Sequence, residues 1–385
     1  MVIRNGLLFC GDRFLERDLG FDGGLITDVA PAGSLPGVGF DAAGAYVLPG
    51  FVDIHTHGCV NHDFCDASPA GLEKMLAYYG SQGVTSVVLT TMSYNEDLLD
   101  SILRVALLYM GKQGYGAVLR GVNMEGPFVS EVKRGAQNPD YIMSPDVGVF
   151  DRLLESSGGS IRLFNIAPEL PGSLDLIHHA SECCTVSLAH TCADYECAVL
   201  AFEAGARHLT HIFNAMPGFY HREPGVVGAA FDHAAFVEVI SDGVHLHPSV
   251  VRALFRMFGA ERICLISDCI RGTGMPNGVY ELGGQAIVIK DGRSNLFNGG
   301  AIAGGALNLT DCFRRAVAFG IPLVDAVRAA SFNPASAVGI SSVAGSLEPG
   351  KCADVLIMDA DLRVVAVYVG GEALKVESGE LVVCA

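Results

Sequence analysis

Two histidines separated by one residue close an apolar run, Val47-Leu-Pro-Gly-Phe-Val-Asp-Ile-His55-Thr-His57-Gly58. Residues i and i+2 of a strand share a face, so His55 and His57 point the same way at the strand's end. Two imidazoles side by side make half of a transition-metal site. Further along, other apolar, β-rich runs end in residues of related chemistry: Glu125 in Asn123-Met-Glu-Gly-Pro, His190 after Ser187-Leu-Ala, His211 in Leu209-Thr-His-Ile-Phe-Asn-Ala-Met, and Asp268 in Leu265-Ile-Ser-Asp. Alone, each has an ordinary reading; a histidine is most often structural, and an aspartate after a strand often caps the next helix. Together, at five of eight run ends, they point to metal-assisted hydrolysis. A divalent metal lowers the pKa of bound water and polarises a carbonyl, while a carboxylate accepts the water proton and passes it to the leaving group. Asp268 is the candidate for that carboxylate. Mixed His and carboxylate ligands suit zinc first, with iron or manganese as alternatives, at one or two ions per subunit.

The elements that must position these residues follow a repeating pattern. Eight apolar runs read as strands: Tyr46–Ile54, Val84–Thr90, Val118–Met124, Ile161–Ala167, Thr185–Ala189, His208–Ile212, Val237–Ile240 and Ile263–Ser267. Helical stretches fall between them, among them Pro69–Ser81, Glu96–Gly111, Asp194–Ala204 and Pro248–Phe258. Near-continuously apolar strands alternating with helices imply a parallel sheet covered on both faces. Eight such units predict an α/β fold, a (β/α)8 TIM-like barrel over residues 47–340, whose active site forms at the C-terminal strand ends. A doubly wound sheet is the other arrangement, but no Gly-x-Gly-x-x-Gly follows the first strand. Residues 279–298 read as a β-hairpin inserted after the eighth strand. Residues 1–46 and 341–385 carry short strands with Gly and Asp turns. Neither end has enough strands to be stable alone, so both are expected to join in one small β-sandwich domain.

Composition narrows the remaining classes. The 385 residues are half hydrophobic and 17% charged, with a formal charge of −17. That charge argues against nucleic acid and anionic membranes as partners, while leaving room for a locally positive pocket. No apolar run reaches the roughly 20 residues of a membrane span, and the first residues lack the long apolar stretch of a signal peptide. Twelve cysteines without regular spacing or a CxxC fit reduced thiols, and hence a cytoplasmic protein.

Taken in order, the stretches Pro49-Gly-Phe-Val-Asp-Ile-His-Thr-His-Gly, Asn123-Met-Glu-Gly-Pro-Phe, Leu188-Ala-His-Thr, Thr210-His-Ile-Phe-Asn-Ala-Met, Arg222-Glu-Pro-Gly, Ser241-Asp-Gly-Val-His, Leu265-Ile-Ser-Asp and Ala303-Gly-Gly-Ala-Leu resemble the amidohydrolase superfamily. Glu125 with its Gly-Pro and the Asn-Ala-Met stretch resemble, within it, the N-acetylglucosamine-6-phosphate deacetylase family. The resemblance implies removal of an N-acetyl group from a phosphorylated amino sugar. Glu125, His190 and His211 would hold the principal metal, and His55 and His57 a second one. Asp268 would act as base and then acid. Asn214, Ala215, Arg222, His245 and Ala303 match substrate positions, and a guanidinium such as Arg222 binds phosphate bidentately. In the family it resembles the phosphate pocket lies near a subunit interface, so the resemblance implies a homodimer. Gln137, in Gly135-Ala-Gln-Asn-Pro, stands where many members have a substrate-contacting histidine; glutamine still hydrogen-bonds but cannot become cationic. This keeps the galacto epimer as an alternative substrate. A non-catalytic amidohydrolase-like protein is the reading from another class, but such proteins lose ligands that this chain retains. Cys269, beside Asp268, is either a packing residue or an oxidation-sensitive thiol.

Overall fold

The computed structural model describes residues 1–297 and 300–374 and the backbone of 383–384; the expected boundaries at 298 and 385 lie outside the described residues. Eight parallel strands form one sheet, hydrogen-bonded in chain order: β1 (Phe51–Thr56), β2 (Val84–Thr90), β3 (Val118–Glu125), β4 (Ile161–Ile166), β5 (Thr185–Leu188), β6 (His208–Leu209), β7 (Phe236–Val239) and β8 (Ile263–Leu265). β1 and β2 are buried at every position, as strands covered on both faces must be. Helices begin where capping chemistry allows. Ser68 caps Pro69–Ser81, Asp194 caps Tyr195–Ala204 and His247 caps Pro248–Phe258, with Pro placed at the first turn of two of them. This is the expected (β/α)8 barrel.

The barrel closes just beyond the ends of β1 and β8. Thr56 bridges Cys269. The Asp268 N–H donates to the His55 carbonyl at 2.9 Å, and the Cys269 carbonyl accepts from the N–H groups of His57 at 2.7 Å and Gly58 at 3.1 Å. The residues that seal the sheet are thus neighbours of the candidate ligands.

Three expectations need correction. The run Tyr46–Ile54 is two strands broken at Gly50. Tyr46–Pro49 pairs with Val2–Phe9 and Val355–Met358 of the terminal sheet, and β1 starts only at Phe51. At the switch a Cβ on residue 50 would lie 2.2 Å from the Thr85 side chain, so only glycine passes. The sixth and eighth strands stop at Leu209 and Leu265, short of 212 and 267, because the chain turns into the left-handed region at His211 and Asp268 (φ 23° and 51°) and leaves the ladder. The hairpin is a three-stranded antiparallel sheet, Gly278–Leu282, Gln285–Lys290 and Arg293–Leu296.

Strands from both chain ends join in one nine-stranded mixed sheet. Val2–Phe9 splits it, pairing by its first half with Gly39–Asp41 and by its second with Tyr46–Pro49. A separate apolar cluster that includes Ile3, Leu19, Phe21, Val355 and Tyr368 forms its core. The half-buried Arg120 on β3 reaches Asp354 at 3.2 Å, tying this sheet to the barrel.

Phe51 on β1 and Phe313 on helix Leu309–Ala318 are fully buried, with ring centroids 4.8 Å apart. Phe313→Ala removes that contact beside the strand that carries His55. The expected cost is about 3–5 kcal/mol, measured as a lower urea midpoint at unchanged slope.

Candidate metal centre and active site

Glu125 ends β3, and its buried carboxylate is the meeting point of four imidazoles. Its Oε1 lies 3.1 Å from His190 Nε2, 3.1 Å from His211 Nε2 and 3.4 Å from His55 Nε2; its Oε2 lies 3.5 Å from His57 Nε2. The Nε2 atoms of His190 and His211 are themselves 3.2 Å apart. Asp268 Oδ1 stands 3.4 Å from His57 Nε2 and 3.6 Å from His55 Nε2. Two ligand triads result, His55–His57–Glu125 and Glu125–His190–His211, both buried. His190, His211 and Asp268 all have positive φ (44°, 23° and 51°), a conformation that non-glycine residues keep only where the surroundings enforce it, and one that clusters at functional sites.

The electrostatics are dominated by burial opposed by mutual attraction. Burial works against the ionised Glu125, but His55, His190 and His211 hold its carboxyl well below the usual range. Asp268 is likewise held low against its burial, by the hydrogen bond to His57 and the charges of His55 and His211. His55, in turn, is raised well above an ordinary histidine by Glu238 and Glu125 despite complete burial.

The donor atoms fit a divalent transition metal. Edges of 3.1, 3.1 and 3.2 Å between Glu125 Oε1, His190 Nε2 and His211 Nε2 match the roughly 3.3 Å ligand spacing of a tetrahedral ion with bonds of about 2.0–2.1 Å. His55 Nε2 is buried without a hydrogen-bond partner, the condition of a ligand atom aimed at a cation. Tautomers are fixed from outside at two ligands. His190 Nδ1 meets the Lys133 carbonyl at 2.9 Å, and His55 Nδ1 meets Glu238 Oε2 at 2.9 Å; both leave Nε2 for the metal.

A cavity of about 560 Å³ opens above this cluster. It brings together His57, Glu125, His190, His211 and Asp268 with the sequence candidates Gln137, Asn214, Ala215, His245 and Ala303. His55 lies beneath it, fully buried. Arg222 is not brought there. It is exposed, donates from Nη1 to His221 Nε2 at 2.7 Å, and lines a separate cleft with Cys192 and Tyr220. Gln137 is buried with both amide atoms engaged. Its Nε2 donates to Glu125 Oε2 at 2.9 Å, and its Oε1 accepts from the Ser93 N–H at 2.6 Å. Cys269 is buried and its thiol donates to the Leu307 carbonyl at 3.3 Å, with burial pushing its pKa up; it is a packing residue.

Sequence reasoning missed four residues. Lys133 and Arg134 add positive charge to the cavity wall. Asp242 holds His245 Nδ1 at 2.8 Å, and Glu238 holds His55. The signal for the last was a lone glutamate inside the apolar run Phe236-Val-Glu-Val.

The amidohydrolase family model matches residues 46–374, spanning the whole barrel and both triads. The chain belongs to the amidohydrolase family. This amidohydrolase is 37% identical to an N-acetylglucosamine-6-phosphate deacetylase of Bacillus subtilis, over 84% of this chain and 83% of the relative. It is 33% identical to an N-acetylgalactosamine-6-phosphate deacetylase of Escherichia coli O157:H7, over 85% and 87%. Its fold superposes with a TM-score of 0.92, at 32% identity over 97% of this chain and 98% of the other, on an aspartate-to-alanine variant of N-acetyl-D-glucosamine-6-phosphate deacetylase from Mycobacterium smegmatis in complex with N-acetyl-D-glucosamine-6-phosphate.

Metal bound to the native cluster alone must stabilise it. Dialysis against a chelator should lower Tm, and adding back zinc should restore it. The gain approaches about 4 kcal/mol when free metal exceeds Kd about 1,000-fold.

Proposed function

We propose that this amidohydrolase hydrolyses N-acetylglucosamine 6-phosphate to glucosamine 6-phosphate and acetate. The observation that carries the reading is the convergence of both ligand triads and Asp268 on the floor of one cavity, in a chain whose relatives act on phosphorylated N-acetyl amino sugars. Glu125, His190 and His211 would hold the principal metal, and His55 and His57 a second. Zinc suits this donor set best, with iron or manganese as alternatives. When bound, the metal polarises the acetyl carbonyl and acidifies water.

The protein's own groups do the rest. Asp268, kept ionised by its histidine neighbours, takes the proton of the attacking water at a carboxylate oxygen. The water oxygen bonds to the acetyl carbon, the C–N bond breaks, and Asp268 delivers the proton to the departing amine nitrogen. His245, Asn214 and the Ala215 backbone receive the sugar phosphate, with Lys133 and Arg134 adding positive charge. Arg222 lines a different cleft of the same chain, so we assign its phosphate contact to a homodimer, in which one protomer's Arg222 meets the phosphate held by its partner. The eleven cysteines whose side chains are described are all free, which supports a reducing, cytoplasmic setting. No helix of the described residues is long and apolar enough to cross a membrane.

Gln137 keeps one amide N–H and one oxygen lone pair beyond its bonds to Glu125 and Ser93 and lines the cavity, so the galacto epimer stays the alternative substrate. Metal-replete enzyme should release acetate from N-acetylglucosamine 6-phosphate with a higher kcat/KM than from its galacto epimer; absence of acetate from both sugars refutes the activity. Asp268→Asn should lower kcat by at least about 100-fold, the scale of general acid–base catalysis, at unchanged metal content.

The pH dependence of binding should follow His245. Burial opposes its charge, but the hydrogen bond and charge of Asp242 prevail and raise its pKa. The imidazolium therefore survives to higher pH than an ordinary histidine, and KM should climb as pH rises past that raised value. Asp242→Asn should shift the climb to lower pH, read from KM profiles at constant metal.

A further inference from the structure

Glu238, in the middle of β7, is fully buried and belongs to neither ligand triad. One oxygen does two things. Oε2 accepts from His55 Nδ1 at 2.9 Å and from the backbone N–H of His211 at 2.9 Å. It therefore ties the imidazole of one triad to the main chain of the other. Its second oxygen has no hydrogen-bond partner. The imidazole that faces it is that of His208, whose Nε2 stands 3.9 Å away. His208 is pushed down to about 4 by burial, so it brings no charge; its Nδ1 meets Ser187 Oγ at 2.9 Å. Among the described residues no Lys or Arg pairs with Glu238. A fully buried carboxylate needs a cation close by, and the one group that supplies it is His55, alone or carrying a metal.

The same bond decides what His55 presents to the site. With Nδ1–H donated to Glu238, Nε2 is left free, aimed between Glu125 at 3.4 Å and Asp268 at 3.6 Å. His57 has no such anchor, since its Nδ1 is buried and unpartnered. The two triads are thus built alike, with one anchored imidazole each: His190 on the Lys133 carbonyl, His55 on a carboxylate. A carboxylate is the stronger of the two, because it raises the basicity of the ring it holds.

We propose that Glu238 is a positioning residue that makes the His55–His57 half of the centre a competent second cation site, by fixing His55 with Nε2 toward Glu125 and Asp268 and by supplying the buried negative charge that balances the added ion. This rests on the reading of His55 and His57 as second-metal ligands. Substitution of an outer carboxylate on a ligating histidine weakens metal binding by about 10–100-fold, and here the loss falls on one ion of the two.

The test counts zinc per chain by equilibrium dialysis over graded free Zn²⁺, for the wild type, Glu238→Gln, Glu238→Ala and His55→Ala. Glutamine keeps the shape and offers a carbonyl oxygen to both donors, but removes the charge. The wild type should bind two equivalents. Glu238→Gln should bind one with unchanged affinity and the other about 10–100-fold more weakly, with an apo Tm close to that of the wild type. Glu238→Ala should weaken the same class further, and His55→Ala should abolish it. Two equivalents at wild-type affinity in Glu238→Gln, equal weakening of both classes, or a single wild-type equivalent untouched by His55→Ala overturns the proposal. The count needs no substrate: a two-zinc wild type that releases no acetate refutes the deacetylase reading alone.

Discussion

The rim of this barrel is organised around one buried charge. Glu125 brings a carboxylate into a place where burial alone would protonate it. Imidazoles from the ends of β1, β5 and β6 converge on it, and Gln137 hydrogen-bonds its second oxygen. Three of these neighbours are in turn held by something that is not a ligand: the Lys133 carbonyl behind His190, the Ser93 N–H behind Gln137, Glu238 behind His55. The result is a shell in which movement of any one strand end changes the distances at Glu125. Backbone strain at His190, His211 and Asp268 is tolerated because this shell over-determines their positions.

Below the carboxylate the barrel stays polar for another layer. Asn123 donates to the Ile54 carbonyl at 3.0 Å, and Ser187 Oγ meets both His208 and Thr210, at 2.9 and 2.6 Å. These groups satisfy one another across neighbouring strands. A low local dielectric strengthens such bonds and makes any unpaired member costly. The layer fixes the register of the strands whose ends carry the ligands, which links the packing of the barrel to the spacing of the donor atoms.

Much of this could be read before any coordinates. The alternation of apolar runs with helical stretches gave the barrel, because strands covered on both faces have no polar side to hide. The ligands were readable because each sits at the end of such a run. What escaped has physical reasons. The break at Gly50 depends on a long-range contact with Thr85 that no local pattern contains. Strand ends at Leu209 and Leu265 are set by left-handed turns that histidine and aspartate adopt only under tertiary constraint. Arg222 sits in a loop whose path is not encoded in periodicity. Gln137 could be placed near the site by its stretch, but its orientation toward Glu125 is decided by Ser93, 44 residues away in sequence. Glu238 was visible as a charge in an apolar strand, and such a residue in a barrel strand merits a partner before a role is denied it.

The closure of the barrel has a consequence for how the protein comes into being. The seam is made by the backbone of Thr56, His57 and Gly58 against that of Asp268 and Cys269, so the first and last strands meet at residues that also build the centre. A chain emerging in order presents His55, Glu125, His190 and His211 well before Asp268 exists. Until the eighth strand docks, the cluster can gather ligands but lacks its proton-handling group and the wall that carries it. Ring closure and chemical competence are therefore one event, and a partly synthesised or partly unfolded barrel is kept inert by its own topology.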